Sequence, residues 1–255
     1  ILVATVTHLP DPRTQPNRIY EMADAALGAF AVFWMQADSF LAYQQAMQHR
    51  QGQNNARSLF GVDQVPSDGQ IRNLLDTVAP EQLAPPFWRV FEQLREGDYL
   101  QAYQGHLGRW LCALDGTQYF SSQKIHCDQC TTRVVNGRTY YSHTLVAPLL
   151  VAPGEHRVIA LEPEFVRPQD GCEKQDCELR AAERWLKRNA GHFPPGALTL
   201  LGDDLYCHQP FCELVLAQHW HFVFTCKPDS HPALYQEIEL LTKAAARGKN
   251  VMWDN

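Results

Sequence analysis

Two short runs carry the residues best suited to chemistry. Leu111-Cys112-Ala113-Leu114-Asp115-Gly116-Thr117 and Thr199-Leu200-Leu201-Gly202-Asp203-Asp204-Leu205-Tyr206 each end an apolar stretch in a carboxylate and then turn. Acids at the mouths of two strands, distant in sequence, suit a shared hard cation such as Mg²⁺ or Mn²⁺, because carboxylate oxygens leave coordination sites for water and phosphate. The plainer readings are that Asp115 caps its turn and that Asp203 or Asp204 is the N-terminal acid of a following helix. A second chemical signal is His126-Cys127-Asp128-Gln129-Cys130. A C-x-x-C knuckle offers two zinc ligands and needs more from elsewhere, with Cys172, Cys177 or His143 as completions. Free thiols packing a loop, or a redox pair, are the alternatives. Cys207, Cys212 and Cys226 read as core fillers beside Leu205, Val215 and Phe224.

The elements that must position these residues fall into two regions. Residues 1–104 read as helical. Asn17–Met35 carries Ile19, Met22, Ala26, Leu27, Phe30, Val32 and Phe33 at helical spacing. Asp38-Ser39 starts the next helix, Asn54 another that Gly61 stops, and Ser67 with Gln70 forms a capping box. Pro85-Pro86 opens a helix with Phe87, Val90, Phe91 and Leu94 on one side. From about Gly105 the pattern changes to strands at Leu111–Phe120, Tyr140–Val151 and His156–Leu161. A helix over 174–189, a strand at Leu198–Gly202, a helix at Gln209–Gln218, a strand at His219–Cys226 and a last helix from Pro232 follow. Three strands followed by strand-helix alternation predict an α/β fold, a mixed sheet flanked by helices.

Composition narrows the class. At 255 residues with 45% hydrophobic and 20% charged content, the chain buries a real core and is not disordered. A net charge of −6 argues against a uniformly basic nucleic-acid glove and leaves room for a local basic track. The longest apolar stretch, Ala25–Met35, is far short of the ~18 residues of a membrane span, and no basic segment precedes it as in a signal peptide. The chain begins at Ile1, which points to a processed product or a fragment. Eight cysteines in a chain this long fit a reducing, cytosolic setting.

Several unconnected motifs occur together and in order. They are Ala113-Leu114-Asp115-Gly116-Thr117-Gln118-Tyr119-Phe120-Ser121-Ser122, Lys124-Ile125-His126-Cys127 with Cys130, Gln169-Asp170-Gly171, Gln175-Asp176-Cys177-Glu178, Leu201-Gly202-Asp203-Asp204-Leu205-Tyr206 and Cys226-Lys227-Pro228-Asp229-Ser230-His231. With the leader motifs Ser39-Phe40-Leu41, Asn54–Gly61, Pro66-Ser67-Asp68 and Gln70–Leu75, the chain resembles bacterial insertion-sequence transposases with a DDE core. The resemblance implies a ribonuclease H-like core over 105–255 behind a helical region over 1–104 that helps bind DNA ends. It makes Asp115 the first catalytic acid and, through the aromatic Tyr206 three residues on, selects Asp203 over Asp204 as the second. It also calls for a Glu on a late helix beyond the Lys227–His231 motif; no Glu before Asn255 has that spacing, so the core reads as C-terminally truncated. The implied activity is divalent-metal-dependent cleavage and transfer of DNA strands. The alternatives are a metal-dependent nuclease on the same core, or a non-catalytic DNA-binding remnant or inhibitor. Implied partners are transposon ends, target DNA and further copies of the chain, in a cytoplasmic, nucleoid-associated setting without membrane. DNA-contact candidates are Lys124, Arg133, Lys174, Arg57 and Arg72. Arg180, Arg184, Lys187 and Arg188 crowd one helix, where paired surface charges are the plainer reading.

Overall fold

The computed structural model of the chain describes residues 1–14, 18–168 and 176–246. Lys174, Cys172 and the Gln169-Asp170-Gly171 and Gln175 parts of the motifs lie outside the described residues. The chain divides into two units, Ile1–Gln93 and Leu94–Asn255, and the change of pattern read at Gly105 falls inside the second.

The first unit is helical: α1 (Leu2–Val6), α2 (Met22–Trp34), α3 (Phe40–Gln48), α4 (Arg50–Phe60), α5 (Asp68–Leu75) and α6 (Pro85–Glu96), which runs across the division. Its punctuation follows local chemistry. Ser39 Oγ accepts the Ala42 N–H and Ser67 Oγ accepts the Gln70 N–H, each satisfying a donor the helix start leaves open. Gly61 ends α4 at φ +68°, a conformation that costs a side-chain-bearing residue more than glycine. The stripe expected on α2 is only partly right. Met22, Ala25, Leu27, Ala31 and Val32 are buried, whereas Phe30 and Phe33 are exposed and pack edge-on against Phe60 and Phe40. On α6 Trp88 and Phe91 are buried, and Val90, expected inward, is exposed. Helix α2 faces α5 at Gly28, where a Cβ would meet Ile71 at an ordinary contact distance of 3.5 Å.

The second unit runs β1 (Trp110–Ala113), β2 (Gly116–Ser122), β3 (Thr131–Val135), β4 (Arg138–Val146), β5 (Leu149–Val151), β6 (Ile159–Ala160), β7 (Glu164–Phe165), α7 (Glu178–Asn189), β8 (Leu198–Gly202), α8 (Gln209–Ala217), β9 (His221–Phe224) and α9 (Pro232–Ala246). It is a mixed α/β fold, as the element order predicts. Five strands form the central sheet in the order β6-β5-β1-β8-β9, with β5 antiparallel and β8 parallel to β1, and β9 parallel to β8. Four others form a second, antiparallel sheet, β2-β4-β3 with β7 on β4. Leu111–Phe120 is therefore not one strand. It breaks at Leu114-Asp115, and its halves join different sheets. Tyr140–Val151 breaks likewise at Ala147-Pro148, since proline has no N–H for a ladder. Strand β3, which is not among the strands read from sequence, closes a hairpin on β4 through Asn136-Gly137, both at positive φ.

The core follows from burial on both faces of the parallel strands. Leu198 and Leu200 of β8 and Cys112 of β1 are fully buried with Trp185 and Leu186 of α7 and Trp220. Each fully buried leucine contributes roughly 1.5–3 kcal/mol. Trp185 Nε1 donates to the Glu162 carbonyl at 2.8 Å, so the largest core side chain buries no unpaired donor. Among the described residues no helix is long and apolar enough to cross a membrane.

Candidate functional site

Strand register decides where the two acids stand. Parallel pairing aligns Ala113 with Leu201, and Leu114 N–H donates to the Leu201 carbonyl at 2.9 Å. Asp115 and Asp203 each follow two residues after that aligned pair, so they leave adjacent strands side by side at the carboxyl ends of β1 and β8. Both are exposed. Asp115 sits at the fork between the sheets: its carbonyl accepts the Ala147 N–H at 2.9 Å as the chain turns into β2. Asp203 Oδ1 accepts the Leu205 N–H at 2.9 Å, which fixes its rotamer.

A third carboxylate joins them. Glu178, the first residue of α7, accepts a 2.6 Å hydrogen bond from the Tyr206 hydroxyl through Oε1, and its carboxylate lies where a Cβ on Gly116 would stand. Gly116 is thus required by close approach. Gly202 has a similar role, since a Cβ there would meet the Tyr206 ring at 2.7 Å. Tyr206 is fully buried. Burial raises its phenol pKa, as do the Glu178 hydrogen bond and the negative charges of Glu178, Asp203 and Asp115, so all three acids act on one buried hydroxyl. Among the described residues none of the three has an ion-pair partner. Their oxygens do not all converge to within 4.8 Å, as those of a closed single-ion cage would. Nothing in the spacing of Glu178 singles it out; the one signal is its place at a helix start inside the Gln175-Asp176-Cys177-Glu178 motif.

Asp204 is engaged elsewhere. Its Oδ1 accepts the Lys227 N–H at 2.7 Å and lies 3.4 Å from His231 Nε2. A hydrogen bond from Ser230, then that from Lys227, lowers its pKa. It thereby ties the β8 turn to the Lys227–His231 segment.

The C-x-x-C knuckle is completed by His143 of β4. Cys127 and Cys130 Sγ are 3.8 Å apart, and His143 Nε2 lies 3.3 and 3.4 Å from them. Ligands of one tetrahedral zinc, with bonds of about 2.3 Å to sulfur and 2.0–2.1 Å to nitrogen, would stand ~3.8 and ~3.5 Å apart. Cys130 Sγ also accepts the Cys127 N–H at 3.4 Å. Tyr119 stacks on His143 at 5.8 Å, and burial lowers the imidazole pKa, which favours the neutral ring that ligates metal. Cys177 is exposed and stands outside this cluster.

The basic candidates divide. Lys124 and Arg133 are exposed on the second sheet and its loop. Arg57 pairs with Asp63 at 3.0 Å, and Arg72 lies over the Phe40 ring and 3.9 Å from Asp68. On α7, Arg184 and Arg188 instead face inward acids: Arg184 bonds Asp176 and Glu164, and Arg188 bonds Glu162 and Glu164. These two do not follow the plainer reading of paired surface charges, since their partners are buried acids of other segments.

No protein-family model and no curated protein matches the chain. Solved structures similar to it include a piggyBac transposase synaptic complex with hairpin DNA, at 13% identity and a TM-score of 0.42, covering 89% of this chain and 48% of that one. They also include the Mos1 strand transfer complex, at 12% identity and 0.26, covering 92% and 67%, and a pre-cleavage Mos1 transpososome, at 12% and 0.18, covering 91% and 68%. The chain spans about half the length of the piggyBac chain. Likenesses this distant carry no weight for the site, which stands on its own geometry.

Proposed function

We propose that this chain is the core of a DDE-type transposase, acting on DNA strands by divalent-metal-dependent cleavage and transfer. The observation that carries the reading is the parallel register that sets Asp115 beside Asp203, with Glu178 against Gly116. Their hard oxygen donors fit Mg²⁺ or Mn²⁺, and Asp115 and Asp203 would hold it with Glu178 alongside. A cation bound there stabilises charge on the attacking and leaving oxygens of a phosphodiester. The chain's own part is positional. The Leu205 N–H orients Asp203, Tyr206 holds one oxygen of Glu178, and exposure at the carboxyl ends of the strands admits a polymer backbone. Lys124 and Arg133 meet phosphates nearby, with Arg57 and Arg72 as contacts of the helical unit.

The motif resemblance to insertion-sequence transposases supports the same reading, as does a mixed sheet with acids at the carboxyl ends of neighbouring strands, the setting a ribonuclease H-like core calls for. DNA ends and target DNA are then the partners, bridged by a homo-oligomer. Cys127, Cys130 and His143 fit structural zinc, which would pin the β2–β3 loop to β4.

The test is cleavage and joining of DNA bearing the ends of the encoding element, in Mg²⁺. Asp115→Asn and Asp203→Asn should each lower both by at least about 100-fold with an unchanged thermal midpoint. Hydrolysis without joining would assign a nuclease instead. Activity that survives both substitutions rejects the site.

A further inference from the structure

We propose that Cys207, Cys226 and His231 form a second zinc site, which clamps the turn after β8 to the end of β9 and the start of α9. The reading of these cysteines as core fillers does not hold: Cys207, Cys212 and Cys226 are all partly exposed. The thiolate sulfurs of Cys207 and Cys226 and one ring nitrogen of His231 lie within 4.8 Å of one another. Two thiolates and an imidazole are the soft and borderline donors that select zinc over magnesium or calcium.

A second observation points the same way. His231 Nε2 is buried and makes no hydrogen bond. Asp204 Oδ1 lies 3.4 Å from the same nitrogen. The spacing is C-x18-C-x4-H, so the ligands come from two loops, the β8–α8 turn and the β9–α9 connection. The backbone already brings those elements together. Gly202 pairs with Phe224, Thr225 N–H donates to the Gly202 carbonyl, and Tyr235 of α9 donates to the Cys226 carbonyl at 2.7 Å. Zinc would displace a proton from each thiol and lock the segment Asp203–Cys207 against its neighbours. The site is separate from Cys127–Cys130–His143, and the inference does not depend on the catalytic reading.

Zinc per chain, measured by elemental mass spectrometry on protein purified under reducing conditions, tests it. Cys207→Ser/Cys226→Ser should lower the zinc content by one equivalent relative to the unaltered chain. Should that variant fail to fold, Cys127→Ser/Cys130→Ser keeps the question open to measurement. Stripped of zinc and titrated with Co²⁺, it should still show the thiolate-to-cobalt absorption of a two-sulfur tetrahedral site at one equivalent, and His231→Ala added to it should weaken Co²⁺ affinity at least 10-fold. Unchanged zinc content in Cys207→Ser/Cys226→Ser, the absence of that absorption, or a Cys207–Cys226 disulfide in the reduced preparation would overturn the proposal.

Discussion

Glu178 illustrates how much a single contact decides. Its carboxylate is held between the Tyr206 hydroxyl and the hydrogen of Gly116, so the site tolerates neither a missing donor nor an added methyl. Tyr206→Phe removes a hydrogen bond to a charged group inside the core and should destabilise the chain by about 2 kcal/mol in urea unfolding. Gly116→Ala forces the carboxylate aside and should cost about 1–3 kcal/mol. Combined with Glu178→Ala, that cost should shrink well below the sum of the single changes, since the clash is with this one side chain. Additivity in that double-mutant cycle would show that Gly116 is needed for some other reason.

Among the elements, α7 is held by charge as well as by its apolar face. Asp176 is buried, which alone would raise its pKa, but hydrogen bonds from Arg184 and the Arg167 N–H outweigh burial and hold it below its ordinary value. A carboxylate depressed in the folded state adds stability that is present above its unfolded pKa of about 3.8 and is lost as pH falls through the lower folded value. Arg184→Ala takes the guanidinium from Asp176 and leaves Glu164 with that of Arg188. It should destabilise by about 3 kcal/mol at neutral pH, near the lower end for a buried pair because the guanidinium is partly open to water. The gap between variant and unaltered chain should narrow as urea midpoints are followed below pH 3.8, closing only beneath the lower folded value. A gap of equal size at neutral and at low pH would mean that packing of the arginine stem, not its charge, holds α7. The same pairs engage Arg184 and Arg188 with acids of other segments.

For the molecule as a whole, charge limits how DNA could be met. A net −6 leaves binding to local basic residues, so affinity for DNA should fall steeply with salt. Lys124→Ala and Arg133→Ala should each reduce the slope of log affinity against log salt by about 1, with little change in stability. An unaltered slope in both would move the contact to another surface.

Much of this architecture is legible in the residues because local chemistry writes it there. Ser39, Ser67 and Gly61 mark helix ends through their own hydrogen bonds and φ, and the apolar run Leu198–Gly202 marks a strand buried on both faces. The acids at Asp115 and Asp203 announce themselves by following such runs. What sequence could not decide are matters of partnership between distant segments. Leu111–Phe120 reads as one strand yet serves two sheets, because pairing is chosen by β5, β8 and β4 and not by the strand itself. His143 rather than Cys177 stands beside the knuckle because the β2–β4 ladder carries it there. Cys207, Cys226 and His231 meet only once β8, β9 and α9 are assembled. Periodicity and capping act over a few residues and are fixed by residue type, whereas register and ligand convergence are set by the sum of contacts across the fold, which only the tertiary structure supplies.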